Sequence, residues 1–112
     1  MGFQDDKIKI TLDLEKEVSL QNIKLSLLDD SNSWIYLPDK ITVMVNNEIV
    51  GQKTIPLKRQ KTKSSNKYID IPLPNQKHSE LNIIIELMSK IPKGFPGAGN
   101  KPWLFIDEII LN

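Results

Sequence analysis

The chain contains no cysteine and only one histidine among its 112 residues. Without cysteine there is no disulfide, no thiolate zinc site and no cysteine nucleophile, and a lone histidine removes most of the ligand sets that bind transition metals. A chain of this length is large enough for one hydrophobic core and too short for two. The sequence therefore predicts a single domain over residues 1–112 that folds without metal or disulfide cross-links.

The chain also lacks a strong charge of either sign and any long apolar run. Lys and Arg together number 15, Asp and Glu number 14, and the formal net charge is +1. Proteins that bind nucleic acid or acidic lipid over a whole surface need a large basic excess to release counterions. No apolar stretch approaches the roughly 20 residues that cross a bilayer, and the N-terminus has no basic and apolar signal region. These absences argue against nucleic acid and membranes as partners.

Apolar residues alternate with polar ones at a period of two along most of the chain. The clearest runs cover residues 8–14, 23–27, 41–45, 69–73 and 81–87. This period is typical of half-buried β-strands, and no segment long enough for a helix shows the 3.6-residue period. The alternation changes phase near Gln21 and Asn22, which predicts a β-bulge or bend there.

Asparagine, proline and glycine separate these runs. Asn46 and Asn47 predict a tight hairpin turn, because asparagine tolerates the left-handed backbone conformation. The polar stretch of residues 74–80 predicts a turn between two strands, with His78 on the surface. Short strands separated in this way are the signature of a β-sandwich or jelly roll, so we expect an all-β fold.

One run of charge, residues 58–67, contains lysine and arginine but no acidic residue. It could hold a phosphate or a sulfated glycan, but such runs are usually solvated loops, which is the interpretation we favour. No aromatic side chain stands among residues 58–67 to stack on nucleic acid bases.

Catalytic patterns are equally sparse. Asp29 and Asp30 are adjacent, as are Asp107 and Glu108, and adjacent carboxylates in a strand point to opposite faces, so they cannot flank one glycosidic bond. The glycines of residues 94–99 precede a strand and not a helix, which excludes a nucleotide-binding fingerprint. The sequence therefore predicts a domain that is not an enzyme.

The most informative segment is the Pro-Gly-Ala-Gly cluster at residues 96–99, which leads through Trp103 into an apolar strand at residues 104–110. Three earlier blocks accompany it: Gly2-Phe3, residues 10–14, which a charged turn follows, and residues 27–38. In order and spacing these blocks resemble the C-terminal discoidin-like (factor 5/8 type C) module of bacterial family 20 β-N-acetylhexosaminidases, the chitobiases. The resemblance implies a galactose-binding-like jelly-roll β-sandwich. Such modules carry a further stretch before Gly2, so we expect one partial module without its leading segment, from a trimmed or truncated parent.

The resemblance implies a non-catalytic, carbohydrate-binding accessory module of a glycoside hydrolase, in a periplasmic or extracellular location. Its partners would be a glycan, for example one that contains N-acetylhexosamine, and the catalytic barrel of the parent enzyme. A sugar site needs an exposed aromatic plane and a few hydrogen-bonding side chains. The candidate binding residues are Trp34, Tyr36, Asn32, Phe95, Asn100 and Trp103, and further polar candidates are His78, Arg59 and Lys93.

Several of these candidates have a simpler structural interpretation. Tryptophan is heavily buried on average, so we expect Trp34 and Trp103 to pack into the core. Glu108 matches a glutamate that helps to hold a structural calcium ion in sugar-binding relatives, yet a solvent-facing carboxylate is the favoured interpretation, and no other cofactor is implied. Gly94 and Phe95 stand where the hexosaminidase modules commonly have Trp-His, which weakens a sugar site borrowed from them.

Two alternatives to a sugar module remain open. One is a purely structural sandwich that packs on the catalytic barrel and has no sugar affinity, which predicts an apolar patch on the isolated domain. The other is an independent enzyme, which would need a concave pocket with perturbed acid or base groups.

Overall fold

The computed structural model describes residues 2–4, 6–30, 33–55 and 65–112. Its regular structure consists of six strands: β1 (Gly2–Phe3), β2 (Lys7–Asp29), β3 (Lys40–Val45), β4 (Glu48–Thr54), β5 (Ser65–Glu86) and β6 (Leu104–Leu111). The prediction of an all-β fold is confirmed. Within these residues no helix has the length and apolar character needed to cross a membrane. Most of the basic run, including Arg59, lies outside the described residues.

The strands form one antiparallel sheet in the order β1-β6-β2-β5-β3-β4. The two long strands, β2 and β5, pair along most of their length. Strand β3 covers only a part of β5, residues 82–86, and β6 covers only a part of β2, residues 23–27. Because β2 and β5 are antiparallel, these additions lie at opposite ends of the β2–β5 ribbon and on opposite sides of it.

The sheet curls into a half-barrel, and the curl brings β4, at one edge of the sheet, into contact with the first half of the inner strand β5. The contact is closest at Gly51 in β4, where a Cβ atom would lie 2.9 Å from Cγ2 of Ile71 and 3.2 Å from Cδ2 of Leu73 in β5. On the same side, Nζ of Lys53 donates a hydrogen bond of 3.4 Å to the carbonyl of Asp70. The curled sheet thus encloses a single main core.

Alternating residues of every long strand fill that core. Its buried members are Ile8, Leu20, Ile23, Leu25, Leu27, Ile41, Val43, Ile69, Ile71, Leu73, Leu81, Ile83, Ile85, Leu87, Leu104 and Ile106. This pattern confirms the strand phases predicted from the period of two. Ile85 pairs with both Ile8 and Ile41, so this part of β5 lies inside the sheet.

The turn and the bulge predicted from the sequence are also confirmed. Asn46 and Asn47 have φ angles of 51° and 65°, and Val45 pairs with Glu48 across this two-residue turn. The ladder between β2 and β5 shifts register between Leu20 and Asn22. A second shift lies between Asp13 and Val18, where Glu15 has a φ of 63°.

The turn predicted at residues 74–80 is wrong, because this segment continues strand β5. Lys77 pairs with Ser19, and His78 pairs with Val18, so the backbone of this polar stretch is hydrogen-bonded into the long ribbon. His78 is 3% exposed, and its expected place on the surface is also wrong. The polar composition indicated a turn, but the ladder between β2 and β5 continues through this segment, with two register shifts.

Candidate functional site

Two connections that carry predicted site residues meet at one end of the sheet. The first, the Trp34 segment (residues 33–38), links β2 to β3, and the second, the glycine loop (residues 91–103), links β5 to β6. The amide of Trp103 donates to the carbonyl of Trp34 at 2.7 Å, and the amide of Tyr36 donates to the carbonyl of Trp103 at 3.0 Å. Ile35 and Trp103 therefore form a parallel bridge that fixes one connection against the other.

The Trp34 segment is closed at its base by Asp30. The amides of Asp30 and Ile35 each donate to the other residue's carbonyl at 3.0 Å, and the Ser33 hydroxyl donates to Oδ2 of Asp30 at 3.1 Å. Trp34 itself has a φ of 62°, which a bulky side chain seldom adopts. This conformation holds an indole that is 39% exposed.

The glycine loop is held in one shape by its own hydrogen bonds. Gly94, Gly97 and Gly99 have φ angles of 92°, 83° and 87°, which a residue with a Cβ atom would adopt only with strain. The amide of Ile91 donates to the carbonyl of Asn100 at 2.8 Å, and the amide of Gly99 donates to the carbonyl of Ile91 at 2.9 Å. These bonds join the two ends of the loop, so its shape does not depend on a ligand.

Tyr36 supports the loop from inside. Its ring is 4% exposed and packs with Met88, Ile91 and Phe95 in a small second core. Its hydroxyl donates to the carbonyl of Pro96 at 2.7 Å. Tyr36 and Phe95, two of the predicted binding residues, thus shape the loop, and the ring of Tyr36 presents almost no surface to a ligand.

Trp34 and the glycine loop are in direct contact at Gly97. A Cβ atom built on Gly97 would lie 2.6 Å from Cδ1 and 2.7 Å from Cγ and Nε1 of the Trp34 indole. Only a residue without a side chain allows this approach. The loop backbone therefore covers part of the pyrrole ring of Trp34 and fixes the position of the indole.

Trp103 lies on the outer face of the sheet and is 37% exposed. Leu104 and Ile106 fill the core, so the alternation of β6 directs Trp103 and Phe105 outwards. The two rings are tilted by 46°, with their centroids 6.4 Å apart. The expected burial of Trp103 and Trp34 is therefore wrong. At the bridge between Ile35 and Trp103, it is the side chain of Ile35 that is buried, and both tryptophans remain exposed.

A buried carboxyl group lies behind these loops. Asp29, at the end of β2, is 6% exposed, and this burial raises its pKa; Lys67 opposes the shift and Asp30 adds to it. The pKa of the Tyr36 hydroxyl is also raised, first by burial and then by the negative charge of Asp29. Asp29 thus sits in surroundings that disfavour its charge.

Of the remaining predicted residues, Lys93 and Asn100 belong to the glycine loop. Asn100 is exposed, and its Nδ2 donates to the carbonyl of Gly97 at 3.0 Å. Glu108 is an exposed residue of β6 that pairs with Ser26, and within the described residues no group of three acidic or histidine side chains could hold a metal ion. Asn32 lies outside the described residues.

Sequence reasoning did not single out Gly97, Asp30 or Asp29 as parts of the site. The role of Asp30 could have been predicted, because aspartate followed by serine and asparagine is typical of a turn that a side chain closes with a hydrogen bond. The role of Gly97 could not be read from the sequence, since its partner is 63 positions away, at Trp34.

Comparison with known proteins leaves the family open. No protein-family model matches the sequence, and no curated protein is significantly similar to it. The geometry of the two loops is therefore the main guide to the function.

Proposed function

We propose that this domain is a non-catalytic carbohydrate-binding module whose site is formed by Trp34, Trp103 and the glycine loop. The observation that carries the proposal is that both tryptophans of the chain are more than one-third exposed and are joined by a backbone hydrogen bond. The C–H face of a sugar ring packs on an exposed aromatic plane, and a rigid platform loses little entropy on binding.

Polar groups around this platform suit a neutral ligand with many hydroxyl groups. Ser33 in the Trp34 segment and Asn100 in the glycine loop are exposed, and Lys93 of the glycine loop adds an exposed cation. Asp29, whose burial raises the pKa of its carboxyl group, lies beneath the platform and is not part of its surface. A few hydrogen bonds to hydroxyls around one or two stacking contacts give weak, shape-dependent recognition, as expected of an accessory module.

The resemblance to the discoidin-like module of β-N-acetylhexosaminidases supports an N-acetylhexosamine as the ligand. On this proposal the domain has a jelly-roll fold, lies in the periplasm or outside the cell, and keeps a catalytic barrel close to its glycan. The hydrolytic chemistry then belongs to that barrel, and Trp34 and Trp103 provide only affinity.

The proposal is tested by titrating the isotope-labelled domain with N-acetylglucosamine, chitobiose, N-acetylgalactosamine and galactose while following the two indole N–H signals. We expect saturable shifts centred on Trp34 and residues 91–103, lost in Trp34→Ala and weakened in Trp103→Ala. Tyr68→Ala is the matched control, because Tyr68 is 62% exposed on β5 and belongs to neither loop. Signals unmoved by all four sugars in a folded sample would overturn the proposal.

A specific observation favours the alternative, a structural domain that packs on a catalytic barrel. The outer face of β6 presents Trp103 and Phe105, and beside Phe105 lies a shallow depression lined also by Leu28, Asn66 and Asp107. An apolar face of this kind suits protein docking. Under this alternative the sugars produce no shift, and Trp103→Ala weakens binding to the barrel domain while Trp34→Ala does not.

A further inference from the structure

One edge of the curled sheet is unpaired among the described residues. Residues 7–13 of β2, which we call the open edge, pair on one side with residues 80–86 of β5. On the other side of β2, strand β6 covers only residues 23–27. Every second residue of the open edge therefore directs its backbone N–H and C=O groups to a side on which no described strand lies. Such an edge is a template on which another strand can form hydrogen bonds.

The other edges of the sheet are interrupted in ways that hinder further pairing. Strand β4 has a register shift at its pairing with Val43 and Met44, and β1 has only two residues. The free side of the first half of β5 contains Pro72, which has no N–H to donate. The open edge has no proline, no glycine and no register shift, so it is the edge best suited to accept a strand.

The inner face of the open edge is apolar and incompletely covered. Ile8 is 7% exposed, but Ile10, Leu12 and Leu14 are only partly buried, although they pack against the main core. A strand added beside them would remove this apolar surface from water, which is the main driving force for association. A strand that pairs with the open edge should therefore alternate apolar and polar residues, with its apolar residues on the same face of the sheet as Ile10 and Leu12.

The open edge itself meets this requirement, and its charges are complementary to those of a second copy. When two such strands pair antiparallel about a two-fold axis at Thr11, Ile10 of each copy lies opposite Leu12 of the other. The same register places Lys9 opposite Asp13 twice. Among the described residues neither Lys9 nor Asp13 belongs to an ion pair, whereas Lys7 is bound to Glu86 at 3.5 Å.

We infer that the protein forms a two-fold symmetric dimer through the open edge, with Thr11 at the axis. The interface is isologous, as in most homodimers, because the same residues meet on both copies. It joins the two β2 strands into one continuous antiparallel sheet and covers Ile10 and Leu12 of both copies. This inference is independent of the proposed sugar site, which lies in the loops and not on the open edge.

The sharpest test uses the absence of cysteine from the chain. In the proposed dimer the two Thr11 Cα atoms lie directly opposite each other, about 4.5–5.5 Å apart, which is within the range that a disulfide spans. Thr11→Cys should therefore form covalent dimers under mild oxidation. Lys77→Cys, an exposed position of β5, is the matched control and should remain monomeric on a denaturing gel. Equal cross-linking of the two variants contradicts the inference.

Charge reversal provides a second test that does not depend on cross-linking. Lys9→Glu and Asp13→Lys should each weaken the dimer by about tenfold or more in Kd, measured by sedimentation or light scattering, because each places like charges opposite each other twice. The double variant should restore the affinity, and Lys77→Glu should leave it unchanged. Circular dichroism confirms that each variant is folded.

Two results would overturn the inference. One is a wild-type protein that is monomeric up to about 1 mM, a limit that corresponds to only about 4 kcal/mol of binding, which would leave the open edge to a strand of another polypeptide. The other is a dimer that is insensitive to both charge reversals and does not cross-link through Thr11→Cys, which would place the interface elsewhere.

Discussion

The backbone of Gly97 lies against the indole ring of Trp34, so close that a single added methyl group would overlap three ring atoms. This contact joins the glycine loop to the Trp34 segment where the candidate sugar site lies. The orientation of the exposed indole is thus set by a residue that has no side chain, and it can be altered without changing the tryptophan.

Gly97→Ala and Gly99→Ala separate two effects at this contact. Both glycines have positive φ, so each substitution should cost about 1–2 kcal/mol of backbone strain. A Cβ atom on Gly97 would also overlap Trp34, whereas one on Gly99 has nothing within 4 Å. We expect Gly97→Ala alone to shift the fluorescence and the indole N–H signal of Trp34. Equal spectra for the two variants would contradict the contact.

Tyr36→Phe removes the hydrogen bond from the buried hydroxyl to the carbonyl of Pro96 and keeps the ring. We expect a loss of about 1 kcal/mol in the free energy of unfolding. Amide hydrogen exchange within residues 97–100 should become faster, because the loop loses its anchor. Tyr68→Phe, at a residue that is 62% exposed, is the control and should change neither quantity. Unchanged exchange in Tyr36→Phe would show that the loop is held by its backbone bonds alone.

Asp29 should give the protein a measurable dependence of stability on pH. Burial raises its pKa above the ordinary value of 3.8, so the folded state binds the proton more tightly than the unfolded state does. The contribution of Asp29 to the free energy of unfolding therefore falls as the pH rises from 3.8 through the folded-state pKa. Above the folded-state pKa, Asp29 is charged in both states, and its burial lowers the free energy of unfolding by an amount that no longer depends on pH.

Asp29→Asn removes that charge and keeps the shape of the side chain. We expect the variant to be more stable than the wild type near pH 7 and to lose this advantage toward pH 4, as measured by urea denaturation across that range. A variant less stable than the wild type at neutral pH would mean that the charged form of Asp29 is favoured by the fold.

His78→Leu tests the cost of a buried polar ring. His78 is 3% exposed, and its Nε2 has no hydrogen-bond partner among the described residues. An apolar side chain of similar size avoids the desolvation of that nitrogen, so we expect the free energy of unfolding to stay level or rise by about 1 kcal/mol. His78→Ala, which leaves a cavity, should instead lower it by about 2 kcal/mol or more. A large loss in His78→Leu would reveal a hydrogen bond that the fold needs.

Gly51→Ala tests the curl of the sheet. The added Cβ atom would lie 2.9 Å from Ile71, 3.0 Å from the carbonyl oxygen of Pro72 and 3.2 Å from Leu73, so it would push β4 away from the first half of β5. We expect a loss of about 1–3 kcal/mol, as for other overpacked cores. Ile49→Ala, at a residue of β4 that is 60% exposed, is the control and should have little effect in urea denaturation. A neutral Gly51→Ala would mean that β4 and the first half of β5 do not pack against each other.

The sequence predicted which segments carry the candidate site, but not which of their side chains are exposed to a ligand. The glycines and aromatic residues of residues 92–103 indicated a shaped loop, and the structure places that loop against Trp34. Which rings remain exposed could not be predicted, because the burial of Tyr36 and the exposure of Trp103 depend on the bridge between Ile35 and Trp103. That bridge joins residues 68 positions apart.

The sequence by itself determined the all-β class, the inward face of the strand segments that alternate with a period of two, the hairpin at Asn46 and the bulge after Leu20. These features are local, since the period of two and the conformational preferences of single residues specify them. Only the tertiary structure decided that residues 74–80 continue a strand, that His78 is buried, that Gly97 touches Trp34 and that residues 7–13 form an open edge. Each of these depends on which distant strand or loop supplies the neighbouring backbone, and hydrogen bonds to that backbone outweigh the preferences of individual side chains.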